Sequence, residues 1–148
     1  ISQPYVVAYA LEVLELTPDS RVLEIGAGSG YQTAVLAELV AHVWSVEWVP
    51  ELARRARGVL GALGYDNVDL RVGDGGRGWP AADIPPFDAI IGSAAPLQIP
   101  PLLLEQLGDG GRLVMPVGDA VQELVLMRRR GSEFDRRSLV PVRFVPMR

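Results

Sequence analysis

The chain has 148 residues, 49% of them hydrophobic and 22% charged, which is the length of one domain with enough apolar content to close a core. It has no cysteine and a single histidine, which excludes disulfides, thiol nucleophiles and thiolate or histidine-rich metal sites, so no metal is expected. The net charge of -4 is unevenly spread: every basic residue is an arginine, and half of them fall from Arg128 onward. Strand-forming residues interleave with these arginines, as at a solvated sheet edge, and no nucleic-acid partner is expected. No apolar run reaches the roughly 18 residues that cross a bilayer, and no signal peptide opens the chain. A soluble, cytoplasmic protein without a membrane partner is the expectation.

In chain order, residues 5–16 space Val6, Val7, Tyr9, Ala10, Val13 and Leu14 as an amphipathic helix entered through Pro4. A turn over residues 17–20 ends it. RVLEI is a short apolar run stopped by glycine, as expected of a strand buried on both faces of a parallel sheet. Residues 31–40 return to helical spacing, HVWSVE reads as a second strand, and residues 50–64 as a helix from Pro50 to Gly64. NVDLRV is a third strand, residues 73–86 a loop, FDAIIG a fourth strand, and PPLLLEQL a short helix that ends in a turn at residues 108–111. RLVMPV, QELVLMRRR and residues 138–145 read as three further strands around a hairpin at Gly131-Ser132. This alternation predicts an α/β fold, a doubly wound sheet that is mostly parallel with right-handed crossovers and an antiparallel C-terminal hairpin at one edge.

In such a sheet, ligands bind beyond the carboxyl ends of the strands where the strand order reverses, and the segment VLEIGAGSG lies there. Gly26, Gly28 and Gly30, with Ala27 and Ser29 between them, allow close backbone approach, and the helix starting at Tyr31 offers unpaired N–H groups. A dinucleotide fingerprint is G-x-G-x-x-G, whereas the third glycine here comes one residue early and Glu24 precedes the first. That acid suits the amino group of an aminoacyl ligand better than a pyrophosphate. Glu47 ends the second strand, about 20 residues after the glycines, where a carboxylate can accept both ribose hydroxyl protons. At the end of the third strand, Asp74 can accept from an adenine amino group, while Gly73 and Gly75 leave room for the base. Each has a plainer alternative, a solvated strand-end acid for Glu47 and an ordinary turn for Asp74. Trp48 reads as a wall beside the adenine or as a packed interface residue, His42 as a structural histidine, and Met115, Met127 and Met147 as packing.

The segments ISQPYVVA, VLEIGAGSGYQTAVLA, GDGGRGWP, PFDAIIGSAAP and GGRLVMPVG, over essentially the whole chain, resemble the protein-L-isoaspartate O-methyltransferases. The resemblance implies a Rossmann-like methyltransferase sheet and S-adenosylmethionine as cofactor, with S-adenosylhomocysteine as product. It also implies methyl transfer to the free α-carboxylate of L-isoaspartyl residues in damaged proteins or peptides. The ester then collapses to a succinimide, which begins repair. In the family a hydroxyl residue of the ISxP segment is the active-site group, here Ser2, whose plainer role is a helix N-cap. Gln3, Pro4 and Tyr5, a position where many relatives carry histidine, fall with it on the substrate side, as do Ser93, Ala94 and Ala95 after the fourth strand. Family members carry several dozen helical residues before ISxP, so residues 1–148 are expected to be a methyltransferase domain without that region. A monomer is expected. Two other readings stay open, an aspartate methyltransferase for one dedicated partner peptide and a catalytically weak cofactor-binding domain.

Overall fold

The computed structural model describes residues 3–80, 82, 84 and 86–148. Proline opens three of its helices, α1 (Pro4–Leu14), α3 (Pro50–Ala62) and α4 (Pro101–Gln106). The first turn needs no N–H partner and suits proline's fixed φ. Helix α2 (Tyr31–Leu39) starts instead from Gly30, held at φ 88°. The strands β1 (Arg21–Ile25), β2 (His42–Glu47), β3 (Val68–Val72), β4 (Phe87–Gly92), β5 (Leu107–Gly118), β6 (Gln122–Arg130) and β7 (Glu133–Val142) form one sheet. Their order is β3-β2-β1-β4-β5-β6-β7. The first five are parallel, and β6 and β7 add antiparallel. This is the doubly wound sheet read from the sequence, and its order reverses between β1 and β4.

The central strands read as apolar runs because both faces are covered. Successive residues of β1 enter different cores: Val22 joins Val43, Leu36 and Ala10 under α1 and α2, while Leu23 joins Trp44, Ile90 and Leu103 under α4. Helix α3 closes a smaller cluster through Ala53, Ala56 and Leu60 against Leu70 of β3. Leu23, Leu36, Ile90 and Leu103 are completely buried, each a gain of about 1.5–3 kcal/mol over exposure. Among the described residues, no helix is long and apolar enough to cross a membrane.

Two boundaries differ from the sequence reading. Residues 108–111 do not end α4 in a separate turn; they loop out within β5, where Phe87 pairs with Leu107 but Ala89 pairs with Arg112. Strand β7 runs from Glu133 to Val142 rather than over residues 138–145. Its first half carries Asp135, Arg136 and Arg137 opposite Arg128, Met127 and Leu126 on an exposed outer strand, so no apolar alternation marks it. The hairpin at Gly131-Ser132 is as expected. At the other edge, the Nε and Nη2 groups of Arg57 donate to the carbonyl of Leu70 at 3.0 and 2.6 Å. The β2 ladder engages Asn67 O through Val43 N, and carbonyls alternate along a strand, so the Leu70 carbonyl faces away from β2.

After β7 the chain turns back over the sheet. Gln122 clasps it: Oε1 accepts from Phe144 N at 2.7 Å and Nε2 donates to Phe144 O at 3.0 Å. Pro146 then bridges to Ala95, with Ala95 N donating to Val145 O at 2.8 Å and Met147 N to Ala95 O at 2.9 Å.

Candidate active site

A cavity of about 460 Å³ opens at the carboxyl ends of β1, β2 and β4, a size suited to a cofactor-like ligand. Its floor is the glycine turn. The sheet ladder continues into this turn, because Gly26 N donates to Val46 O at 2.8 Å and Ser93 N to Ile25 O at 2.9 Å. Gly28 has φ 53°, and a Cβ there meets nothing within 4 Å, so glycine is required by backbone conformation and the space above is left open. Gly30 combines positive φ with a close approach, since an added Cβ lies 3.4 Å from that of Ala56.

One wall comes from the end of β2. Glu47 is 6% exposed; its Oε2 accepts from Gly28 N at 3.0 Å and its Oε1 from Val49 N at 3.1 Å. Each carboxylate oxygen keeps acceptor capacity, and Glu47 lines the cavity beside Trp48, Val49 and Leu52. Trp48 is 50% exposed, a wall rather than a core residue. The opposite wall is Ser93 and Ala94 after β4, and the roof is residues 145–148.

Glu24 is placed differently from the sequence reading. It is completely buried beneath the turn and is absent from the cavity lining. Its Oε1 accepts from Thr33 Oγ1 at 2.5 Å and Ser45 Oγ at 2.7 Å, and its Oε2 from Gln32 Nε2 at 3.0 Å. Burial pushes its pKa up, and these three hydrogen bonds partly offset that. The carboxylate therefore ties β1, β2 and α2 together under the turn.

The third strand end is also tighter than expected. Asp74 accepts from Gly76 N at 2.9 Å, capping a short 3-10 turn (Gly75–Arg77), and is absent from the lining, as are Gly73 and Gly30. Gly75 does line the cavity, but the protein itself needs its missing side chain: a Cβ overlaps Ile25 Cγ2 and comes within 3.2 Å of Met147 Cε. Gly26, Ala27, Gly28 and Ser29 all line the cavity.

Of the substrate-side residues, Ser2 lies outside the described residues. Gln3 is the N-cap of α1, its carbonyl accepting from Val6 N and Val7 N. Pro4 starts that helix, and Tyr5 is 73% exposed and stacked on Tyr9, away from the lining. Ala95 is buried beneath the tail bridge. His42 sits at the other end of β2, its Nε2 2.9 Å from Asp69 Oδ2, a structural pairing. The sequence reading named Tyr31 only as the start of a helix with unpaired N–H groups, missed Gln32, Leu52 and residues 145–148, and gave Met147 no place beside the cavity, although it lines it. Positions 31 and 32 were accessible to it as the start of the helix that follows the glycines. The tail carries no local signal, since its partner Ala95 lies some fifty residues earlier.

A family model described as protein-L-isoaspartate(D-aspartate) O-methyltransferase matches residues 1–148. The chain belongs to this family. Two relatives named protein-L-isoaspartate O-methyltransferase, from Serratia proteamaculans and Cronobacter sakazakii, are each 58% identical over 147 residues, which is 99% of this chain and 70% of theirs. A solved structure titled protein-L-isoaspartate O-methyltransferase superposes with TM-score 0.92 at 29% identity, over 99% of this chain and 47% of its own. The chain thus spans just under half the length of that protein. A Plasmodium falciparum structure titled as a putative protein-L-isoaspartate O-methyltransferase, in complex with S-adenosyl-L-homocysteine, gives TM-score 0.83 at 25% identity, over 100% of this chain and 75% of its own.

Like the isoaspartate methyltransferases it belongs with, the chain is an S-adenosylmethionine-dependent enzyme. Its cavity fits that cofactor: an acceptor-only carboxylate at Glu47 suits a ribose diol, the apolar Trp48, Val49 and Leu52 suit a base, and the open space above Gly28 admits a ligand against the backbone.

Proposed function

We propose that this chain carries out its family's reaction, methyl transfer from S-adenosylmethionine to the free α-carboxylate of L-isoaspartyl residues in damaged proteins or peptides. The observation that carries the reading is the cavity itself, in which Glu47, hydrogen-bonded to the glycine turn at Gly28 N, lines the same space that Ser93 and Ala94 border from β4. When bound, the cofactor supplies a methyl group activated by a sulfonium centre. The substrate carboxylate is already ionised at neutral pH, so the protein needs no strong base. Its task is alignment, an effect that reaches about 7–11 kcal/mol in well-oriented reactions.

Within this proposal Glu47 holds the ribose hydroxyls, and residues 26–29 receive the aminoacyl end. Trp48 and Gly75 flank the base. Glu24, Gly30, Gly73 and Asp74 act from beneath, fixing the turn and the third strand end. The Ser2 hydroxyl orients the substrate carboxylate, with Gln3, Pro4, Tyr5, Ala94 and Ala95 shaping the peptide's approach. The proposal extends to residues 1–148 as one domain, acting as a cytoplasmic monomer without nucleic acid. Charge supports the last point, since the arginines of β6 and β7 pair in part with acids, as Arg130 does with Asp135.

The test is transfer of labelled methyl from S-adenosylmethionine to an isoaspartyl peptide and to its aspartyl twin. Labelling of the isoaspartyl peptide alone is expected, and equal labelling of both sinks the reading. Strong preference for one peptide over all other isoaspartyl substrates points instead to a dedicated partner.

A further inference from the structure

The hydrogen-bond chain under the glycine turn does not end at Glu24. Gln32, in the first turn of α2, presents one nitrogen to two partners, Glu24 Oε2 at 3.0 Å and Ser93 Oγ at 3.1 Å. Both Gln32 and Ser93 line the cavity, whereas Glu24 is completely buried. The carboxylate decides which way the amide faces. Its Oε1 is taken by Thr33 and Ser45 and its Oε2 meets the Gln32 nitrogen rather than the amide oxygen, so the second N–H of that nitrogen goes to Ser93. Ser93 Oγ is then an acceptor from below, and its own proton is free to donate elsewhere. Ser93 N is held by Ile25 O at 2.9 Å, which fixes the backbone that carries the hydroxyl.

We propose that Gln32 is a positioning residue for the reaction: held by Glu24, it occupies one acceptor site of Ser93 Oγ and leaves the hydroxyl proton to be donated into the cavity, where it binds one oxygen of a carboxylate. The inference rests on the proposed function, in which two carboxylates enter this cavity, that of the isoaspartyl substrate and that of the cofactor's aminoacyl end. A hydroxyl whose proton is turned to the cavity favours an anion over an amide or ester carbonyl. The methyl ester product accepts more weakly than the carboxylate it came from, so the same arrangement favours product release.

The test uses Gln32→Met, Ser93→Ala, Ser93→Thr and the double variant Gln32→Met/Ser93→Ala. Calorimetry measures binding of an isoaspartyl peptide to the protein saturated with S-adenosylhomocysteine, and separately binding of S-adenosylhomocysteine and of methylthioadenosine, which lacks the aminoacyl group. Loss of a hydrogen bond to a charged group is expected to weaken binding about 10- to 100-fold. The loss should be the same in Gln32→Met, in Ser93→Ala and in the double variant, because both residues serve one bond. Ser93→Thr should keep the affinity. Weakened peptide binding alone assigns the substrate carboxylate; weakened S-adenosylhomocysteine with unchanged methylthioadenosine assigns the cofactor's.

Unchanged affinities in Gln32→Met, or losses that multiply in the double variant, overturn the inference. Should Gln32→Met fail to fold, the contrast between Ser93→Ala and Ser93→Thr still decides, and equal affinities in those two overturn it. These are binding readouts, so a wild-type chain that methylates no isoaspartyl peptide refutes the proposed function while the cofactor arm still reports on Gln32 and Ser93.

Discussion

Replacing Gln122 by Leu tests how the cavity's roof is held. Gln122 is 8% exposed and makes two hydrogen bonds to the backbone of Phe144, at 2.7 and 3.0 Å; a third, to Asp119 O at 3.3 Å, belongs to the turn before β6. Leucine keeps most of the volume and removes both links to the tail. At about 0.5–1.5 kcal/mol for each neutral hydrogen bond, the docked tail loses about 1–3 kcal/mol. That corresponds to an opening constant about 5- to 150-fold larger. Amide hydrogen exchange reads it directly, because Ala95 N and Met147 N are protected only by the tail bridge. Exchange at these two amides should speed up by that factor while Leu124 and Leu126 in β6 keep their protection, and trypsin should cut faster after Arg143. Unchanged exchange at Met147 refutes the reasoning, and so does an equal rise throughout β6, which would mean that the whole domain had loosened.

Glu47→Gln sets an amide N–H against a backbone N–H of Gly28 or Val49. With a charged acceptor lost, S-adenosylhomocysteine should bind about 10- to 100-fold more weakly by calorimetry. Gly75→Ala forces a methyl onto Ile25 and Met147; overpacking of about 1–3 kcal/mol should lower the thermal midpoint by several degrees, and an unchanged midpoint contradicts the close approach. For Glu24 the sign follows from its pKa, raised above the ordinary value of 4.5 mainly by burial. Below that value both folded and unfolded chains carry the proton. As pH rises, the unfolded chain loses it first, so wild-type stability relative to Glu24→Gln should fall from pH 4.5 up to the folded pKa and then level off. Urea unfolding across pH measures this, and a constant difference excludes it.

The parallel half of the fold was readable because β1, β2 and β4 are buried on both faces, so their apolar runs and the prolines that open α1, α3 and α4 were strong local signals. The first half of β7 was not readable: as an outer strand its side chains face water, and charge replaced alternation. In the site, Glu47 and residues 26–29 stand where their spacing placed them. Glu24 was harder, because its three donors lie 8 to 21 residues along the chain. An acid beside a glycine turn looks the same in sequence whether it faces a ligand or supports the turn from below. The role of the last residues depended on a contact with Ala95, which only the closed sheet creates.

The two outer edges of the sheet matter for the kind of molecule this protein meets. Damaged proteins are often partly unfolded, and loose segments of chain pair readily with any strand that shows a free row of N–H and C=O groups. Here Arg57 covers an outward carbonyl of β3, and β7 carries Asp135, Arg136 and Arg137 along its first half and Pro141 near its end. Both rims thus resist annexation by a visiting chain. A loose segment of chain that reaches the cavity therefore meets sheet edges that offer it a poor template for pairing.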